Sequence, residues 1–137
     1  PLSVMKARLD ALVSFVETHK QEAINLFAGY KRATNILRKE KAVGLKEPLE
    51  TLFEKEEEKA LYKTLSGAQH EIQGFLSKGD FTKAMATLAP LRSPIDAFFE
   101  HVQVNDERQD VRQNRLNLLG YIQKSLEQVA DFSKIEG

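Results

Sequence analysis

Residues 111–129 read VRQNRLNLLGYIQKSLEQV, and their spacing decides the fold. Wound at about 100° per residue, Val111, Leu118, Leu119, Ile122, Leu126 and Val129 share one face. The alternation of period two that a half-buried strand needs is absent. A helix is therefore expected, capped by Asn105 or Asp106 and reaching about Phe132. Arg115 falls inside its apolar arc. A buried guanidinium must be paired, so an ion pair to Asp96 or Glu58 on a neighbouring helix is expected. Arg112 and Asn114 flank the stripe and are freer to meet a ligand.

The same period continues upstream. Ser93, Pro94 and Asp96 read as an N-cap, a first-turn proline and the acid of a capping box. They open a helix that turns Ile95, Phe98, Phe99 and Val102 to one side. Both phenylalanines are expected in the core rather than as stacking platforms. Gly79–Asp80 opens a short helix ending at Pro90, with Phe81, Ala84, Met85 and Leu88 inward. Pro48 stands near the first turn of a third helix carrying Leu49, Leu52, Phe53, Ala60, Leu61 and Leu65. That period runs on through Ala68, Ile72, Phe75 and Leu76, with an interruption possible at Gly67. The charge-dense run from Glu54 to Lys59 reads as a solvated face. A helix over about Gln21 to Ala42 stops at Gly44 and buries Ala23, Leu26, Tyr30, Ala33 and Leu37. The first, from Leu2 to about Thr18, presents Met5, Leu9, Leu12, Val13 and Val16. The fold class is all-α: a single-domain helical bundle of about six helices over residues 1–137.

Composition narrows the function. The chain has 137 residues, 42% hydrophobic and 29% charged, which suits one domain with one core. No apolar run is long enough to cross a bilayer, so no membrane partner is expected. No secretory signal pattern leads the sequence. There is no cysteine, which removes disulfides, thiolate metal sites and thiol nucleophiles, and fits a reducing cytoplasm. The chain starts at Pro1 without an initiator Met, as expected of a piece of a longer protein.

Catalytic signatures are missing. His19, His70 and His101 fall on separate helices or helix ends, without a second ligand at metal spacing. No phosphate loop or nucleophile elbow occurs. No catalytic residue, metal or cofactor is therefore expected in these residues. The segment HEIQG (His70 to Gly74) invites comparison with histidine phosphotransfer domains. Those carry lysine three residues after the histidine, where this chain has Gln73, so a surface histidine is the better reading.

The second helix carries the strongest signal. Lys31, Arg32, Asn35, Arg38 and Lys39 cluster opposite its apolar stripe, with no acid between Glu22 and Glu40. Net charge is zero, with 20 cationic and 20 acidic side chains, so positive charge concentrated on one strip points to an anionic partner such as nucleic acid. The competing reading is an ordinary solvated face.

KRATNILRK (Lys31 to Lys39), FTKAMATLAPLRSPIDAFFEHVQVN (Phe81 to Asn105) and VRQNRLNLLGYI (Val111 to Ile122), followed by VADFSKIEG, resemble the C-terminal part of the bacterial glycyl-tRNA synthetase β subunit. The likeness spans nearly the whole chain and is most specific at PIDAFFEHVQVN and the RxNRLxLL pattern. That region of the family resembles the helical anticodon-binding domain of arginyl-tRNA synthetases, named after a DALR tetrapeptide. Here Gln109, Asp110, Val111 and Arg112 occupy its place, and only the arginine is kept.

The resemblance implies a parent enzyme that joins glycine to its tRNA with ATP and magnesium. It also implies a catalytic α subunit in a heterotetramer of two α and two β chains, and a cytoplasmic location. The task left to this piece is to grip the anticodon arm of glycine tRNA. The expected RNA-binding residues are Lys31, Arg32, Asn35, Arg38 and Lys39 for phosphates, and Arg112 and Asn114 for bases. Asn114 is a candidate for reading a cytosine edge. The rival from another class is a subunit-assembly module, which would present an exposed apolar patch rather than a basic one.

Overall fold

A computed structural model of the chain describes residues 1–130. The expected helix end at Phe132 and residues 131–137 lie outside the described residues. The elements are α1 (Leu2–Thr18), α2 (Lys20–Lys39), α3 (Glu56–Ser77), α4 (Phe81–Ala86), α5 (Arg92–His101) and α6 (Gln109–Glu127), with 3-10 turns at Glu50–Leu52 and Ala89–Leu91. No strand occurs among the described residues. The all-α bundle expected from periodicity is the observed architecture.

The last helix is the axis of the bundle. α6 packs against α2 and α3 and buries an unbroken run from Asn114 to Leu119. Its stripe of Val111, Leu118, Leu119, Ile122 and Leu126 is inward, as the spacing requires. α3 contributes Leu61, Leu65, Ala68 and Ile72, and α5 contributes Ile95 and Phe98. Each fully buried leucine or isoleucine stabilises the fold by about 1.5–3 kcal/mol relative to exposure.

Helix ends depart from expectation where side chains compete for the backbone. α2 does not run to Gly44. Lys41 takes a left-handed φ of 50°, with Lys41 N–H donating to Arg38 O at 3.0 Å and Ala42 N–H to Leu37 O at 2.9 Å. That pair of bonds is a Schellman stop, with lysine where glycine is usual. α3 starts at Glu56, not near Pro48, because residues 46–55 are claimed by other partners. Asn117 Oδ1 accepts from Lys46 N–H at 3.1 Å. Glu58 Oε1 accepts from Glu54 and Lys55 N–H at 3.2 and 3.1 Å. Once begun, α3 passes Gly67 unbroken. Ser93 does not cap α5, since the preceding 3-10 turn feeds directly into Arg92. Asp96 pairs instead with Arg92 at 3.6 Å.

The largest correction concerns α1. Its span agrees with the reading, but its inward residues are Ala11 and Phe15. Met5, Leu9, Val13 and Val16 are 66%, 59%, 47% and 43% exposed. Arg8 fixes this rotation: Nη2 donates to the carbonyls of Gln128 and Val129 at 3.3 and 3.4 Å, and the guanidinium lies 5.7 Å from the Phe81 ring.

Candidate nucleic-acid interface

α2 sinks Leu26, Tyr30, Ala33 and Leu37 into the core, so its opposite side faces outward. Arg32, Asn35, Arg38 and Lys39 are exposed there, and Lys31 is half-buried with its ammonium 5.5 Å from the Phe27 ring. Arg32, Arg38 and Lys39 form no ion pair among the described residues. Cations in the last turn also suit the negative end of the helix dipole. The structure thus brings the five residues of the strip onto one face.

A close helix crossing adds an aromatic group to this face. Gly29 lets α5 approach α2: a Cβ at that position would lie 2.9 Å from Ile95 Cγ2. The approach puts Phe99 beneath Arg32, with the guanidinium 4.6 Å from the ring centroid. Phe99 meets the buried Phe98 edge-on at 5.6 Å and 74°. Phe98 is core, as expected, whereas Phe99 is only partly buried. Both therefore pack in or against the core as expected, with Phe99 at its margin. The available signal for the margin was the position of Phe99 about 100° from Phe98, at the edge of the apolar face.

Arg32 and Phe99 form a step shared by two clefts. One, of about 290 Å³, is walled also by Ile36, Lys39, Glu40 and Asn105. The other, of about 490 Å³, adds Asn25, Gly29, Asp96 and Glu100. A guanidinium lying on a ring offers a flat surface for a base and a charge for a phosphate. The first cleft, with Lys39 at its wall, is the more favourable for an anion. Asp96 and Glu100 disfavour one in the second.

Two candidate residues have other duties. Arg112 is not free: Nη2 lies 2.9 Å from Glu40 Oε1 and Nε donates to Asn105 Oδ1 at 3.2 Å. It ties α6 to the end of α2 beside the first cleft. Asn114 is 2% exposed and fully committed. Its Oδ1 accepts from Leu49 N–H at 2.7 Å, and its Nδ2 donates to Leu49 O at 3.0 Å. The expectation that Asn114 reads a base is therefore wrong, because the residue 46–49 segment covers that side of α6. Asn114→Ala should cost about 2 kcal/mol in urea denaturation, since it orphans both polar groups of one backbone residue. An unchanged midpoint would show that water replaces the clamp.

Arg115 behaves as its position in the arc requires. It is 3% exposed, pairs with Glu58 Oε1 at 3.1 Å, and donates to Gln103 O at 2.7 Å. Glu58 is wholly buried, so the charge-dense run is not entirely a solvated face. Asp106 and Glu54 stand 3.5 and 3.6 Å from the same guanidinium, and Arg108 pairs with both acids. Hydrogen bonds from Arg108 hold the Asp106 carboxyl down at about 2. The cluster's charges are thus paired with one another, although Glu58 Oε2 and Arg115 Nε are buried without a hydrogen-bond partner among the described residues. His70, Gln73 and Gly74 are exposed on α3.

Sequence comparison agrees with this geometry. The sequence model of the DALR anticodon binding domain matches residues 26–136, which include the strip, Phe99 and all of α6. The glycine–tRNA ligase β subunit of Phenylobacterium zucineum is 40% identical over 134 residues, covering 96% of this chain and 20% of that protein. The β subunits of Cereibacter sphaeroides and a Ruegeria species are each 41% identical over 143 residues, covering 99% of this chain and 20% of theirs. The chain therefore spans about a fifth of the length of the curated relatives it matches. No helix among the described residues is long and apolar enough to cross a membrane. With the match extending over most of its length, this chain belongs to the DALR anticodon binding domain family.

Proposed function

We propose that this chain grips the anticodon arm of glycine tRNA, as an accessory domain of a cytoplasmic glycine–tRNA ligase β subunit. The observation that carries the reading is the exposed cations Arg38 and Lys39, which form no ion pair among the described residues and lead to the Arg32–Phe99 step. Arg38 and Lys39 hold phosphates, which position the loop without reading it. Arg32 and Phe99 receive an unstacked loop base, the form in which single-stranded RNA is usually recognised. Arg112 serves by holding Glu40 and the end of α2 in place. The ATP- and magnesium-dependent joining of glycine to tRNA belongs to the catalytic α subunit, in an assembly of two α and two β chains.

The test is tRNA binding by Phe99→Leu, which keeps apolar packing but removes the aromatic face. Affinity for glycine tRNA should fall about fivefold, the lower end of what one stacked base contributes, with the salt dependence unchanged. Equal affinity in variant and parent would remove the step from the site. The assembly reading is favoured by a separate observation, the exposed stripe of α1. It lies on another helix and competes with nothing in the RNA reading.

A further inference from the structure

The stripe of Leu2, Met5, Leu9, Val13 and Val16 spans about 80° of α1, and Leu2 is 82% exposed. Its exposed area is on the order of 500 Å², at the upper end of what monomers leave in water. The stripe cannot turn inward, because Phe15 and Ala11 occupy the core and Arg8 is bound to the carbonyls that follow α6. The DALR match begins only at residue 26, so α1 lies outside the part shared across that family. Alignments to the β subunits nevertheless cover 96–99% of the chain and so take in α1. The helix is thus a feature of the longer proteins.

We propose that this stripe is the face on which the domain docks against the rest of its own polypeptide, the remaining four-fifths of a β chain. Area distinguishes this occupant from a second copy. A stable interface between separate proteins buries about 800 Å² on each partner, more than the stripe offers. A covalent tether raises the effective concentration to the millimolar range, so a smaller patch suffices. Lys6, Asp10 and Glu17 line one edge of the stripe with mixed charge, as polar residues commonly do at the margin of an apolar contact.

The experiment is hydrogen exchange on a full-length β chain carrying this segment, without tRNA, comparing the parent with Met5→Lys/Leu9→Lys. Both positions are solvent-exposed within the domain, so the substitutions disturb only what covers them. Exchange across residues 2–18 should accelerate about tenfold or more, the equivalent of about 1.4 kcal/mol of lost docking. Peptides of α3 and α6 should stay unchanged, which shows that the domain is folded. Val13→Lys/Val16→Lys should behave alike. Identical exchange in parent and variants would overturn the proposal. Protection that depends on β concentration, or appears only when the α subunit is added, would assign the stripe to a second copy or to α and overturn it equally.

Discussion

Arg115→Ala should destabilise the domain by about 3–5 kcal/mol, the usual result of removing one partner of a buried ion pair. Glu58, which has no solvent exposure, would lose the guanidinium at 3.1 Å. Gln103 would lose the donor to its carbonyl. In thermal unfolding the loss corresponds to a midpoint lowered by roughly ten degrees or more for a domain of this size. The Arg115→Met/Glu58→Leu double variant should recover most of it, because apolar isosteres of a buried pair are often neutral. A deficit of about 1 kcal/mol should remain, since Glu58 also accepts from the backbone N–H groups that precede α3. A single-variant loss below about 1 kcal/mol would mean that the pair is effectively solvated.

Arg38→Glu with Lys39→Glu should weaken binding of glycine tRNA by about thirtyfold at 0.15 M salt. Each lost phosphate contact flattens the log–log salt dependence by about 0.7 to 0.9. Non-cognate tRNA should lose a similar factor, because phosphates carry no sequence information. Both residues are exposed and lie opposite the buried stripe of α2, so the fold should survive. Reversed charge at the helix C-terminus costs only about 1 kcal/mol. Parallel salt titrations of the two tRNAs provide the measurement. An unchanged slope would reduce the strip to a solvated face. A flattened slope here beside an unaltered one in Phe99→Leu would separate the charge-holding part of the interface from the stacking part.

Much of this was legible beforehand because it depends on local spacing. The 3.6-residue period marked α6 and its inward residues, and it placed Arg115 in the arc where only a paired guanidinium is tolerated. Charge distribution along α2 marked the strip, since a run from Ala23 to Lys39 without an acid is visible in one dimension. The family resemblance rested on contiguous motifs, and the comparisons bear it out.

The rest depended on which neighbours the elements meet. α1 carries two apolar arcs, one with Ala11 and Phe15 and one with Met5, Leu9, Val13 and Val16. Periodicity finds the richer arc, but the space beside α4 and α2 accepts the other. Asn114 looked available because polar residues beside a stripe usually face water. Nothing in its spacing announces that residues 46–49, some seventy positions away, lie across it. Those same bonds withhold Pro48 and Leu49 from helix α3. Phe99 lies at the margin of the core beneath Arg32, where Gly29 allows α5 close to α2. Helix identity, inward arcs and charge are set by residues a few positions apart and can be read from the chain. The choice between competing arcs, and the burial of a polar side chain by a distant segment, arise only when the elements pack, because desolvation and hydrogen-bond pairing are properties of the assembled surface.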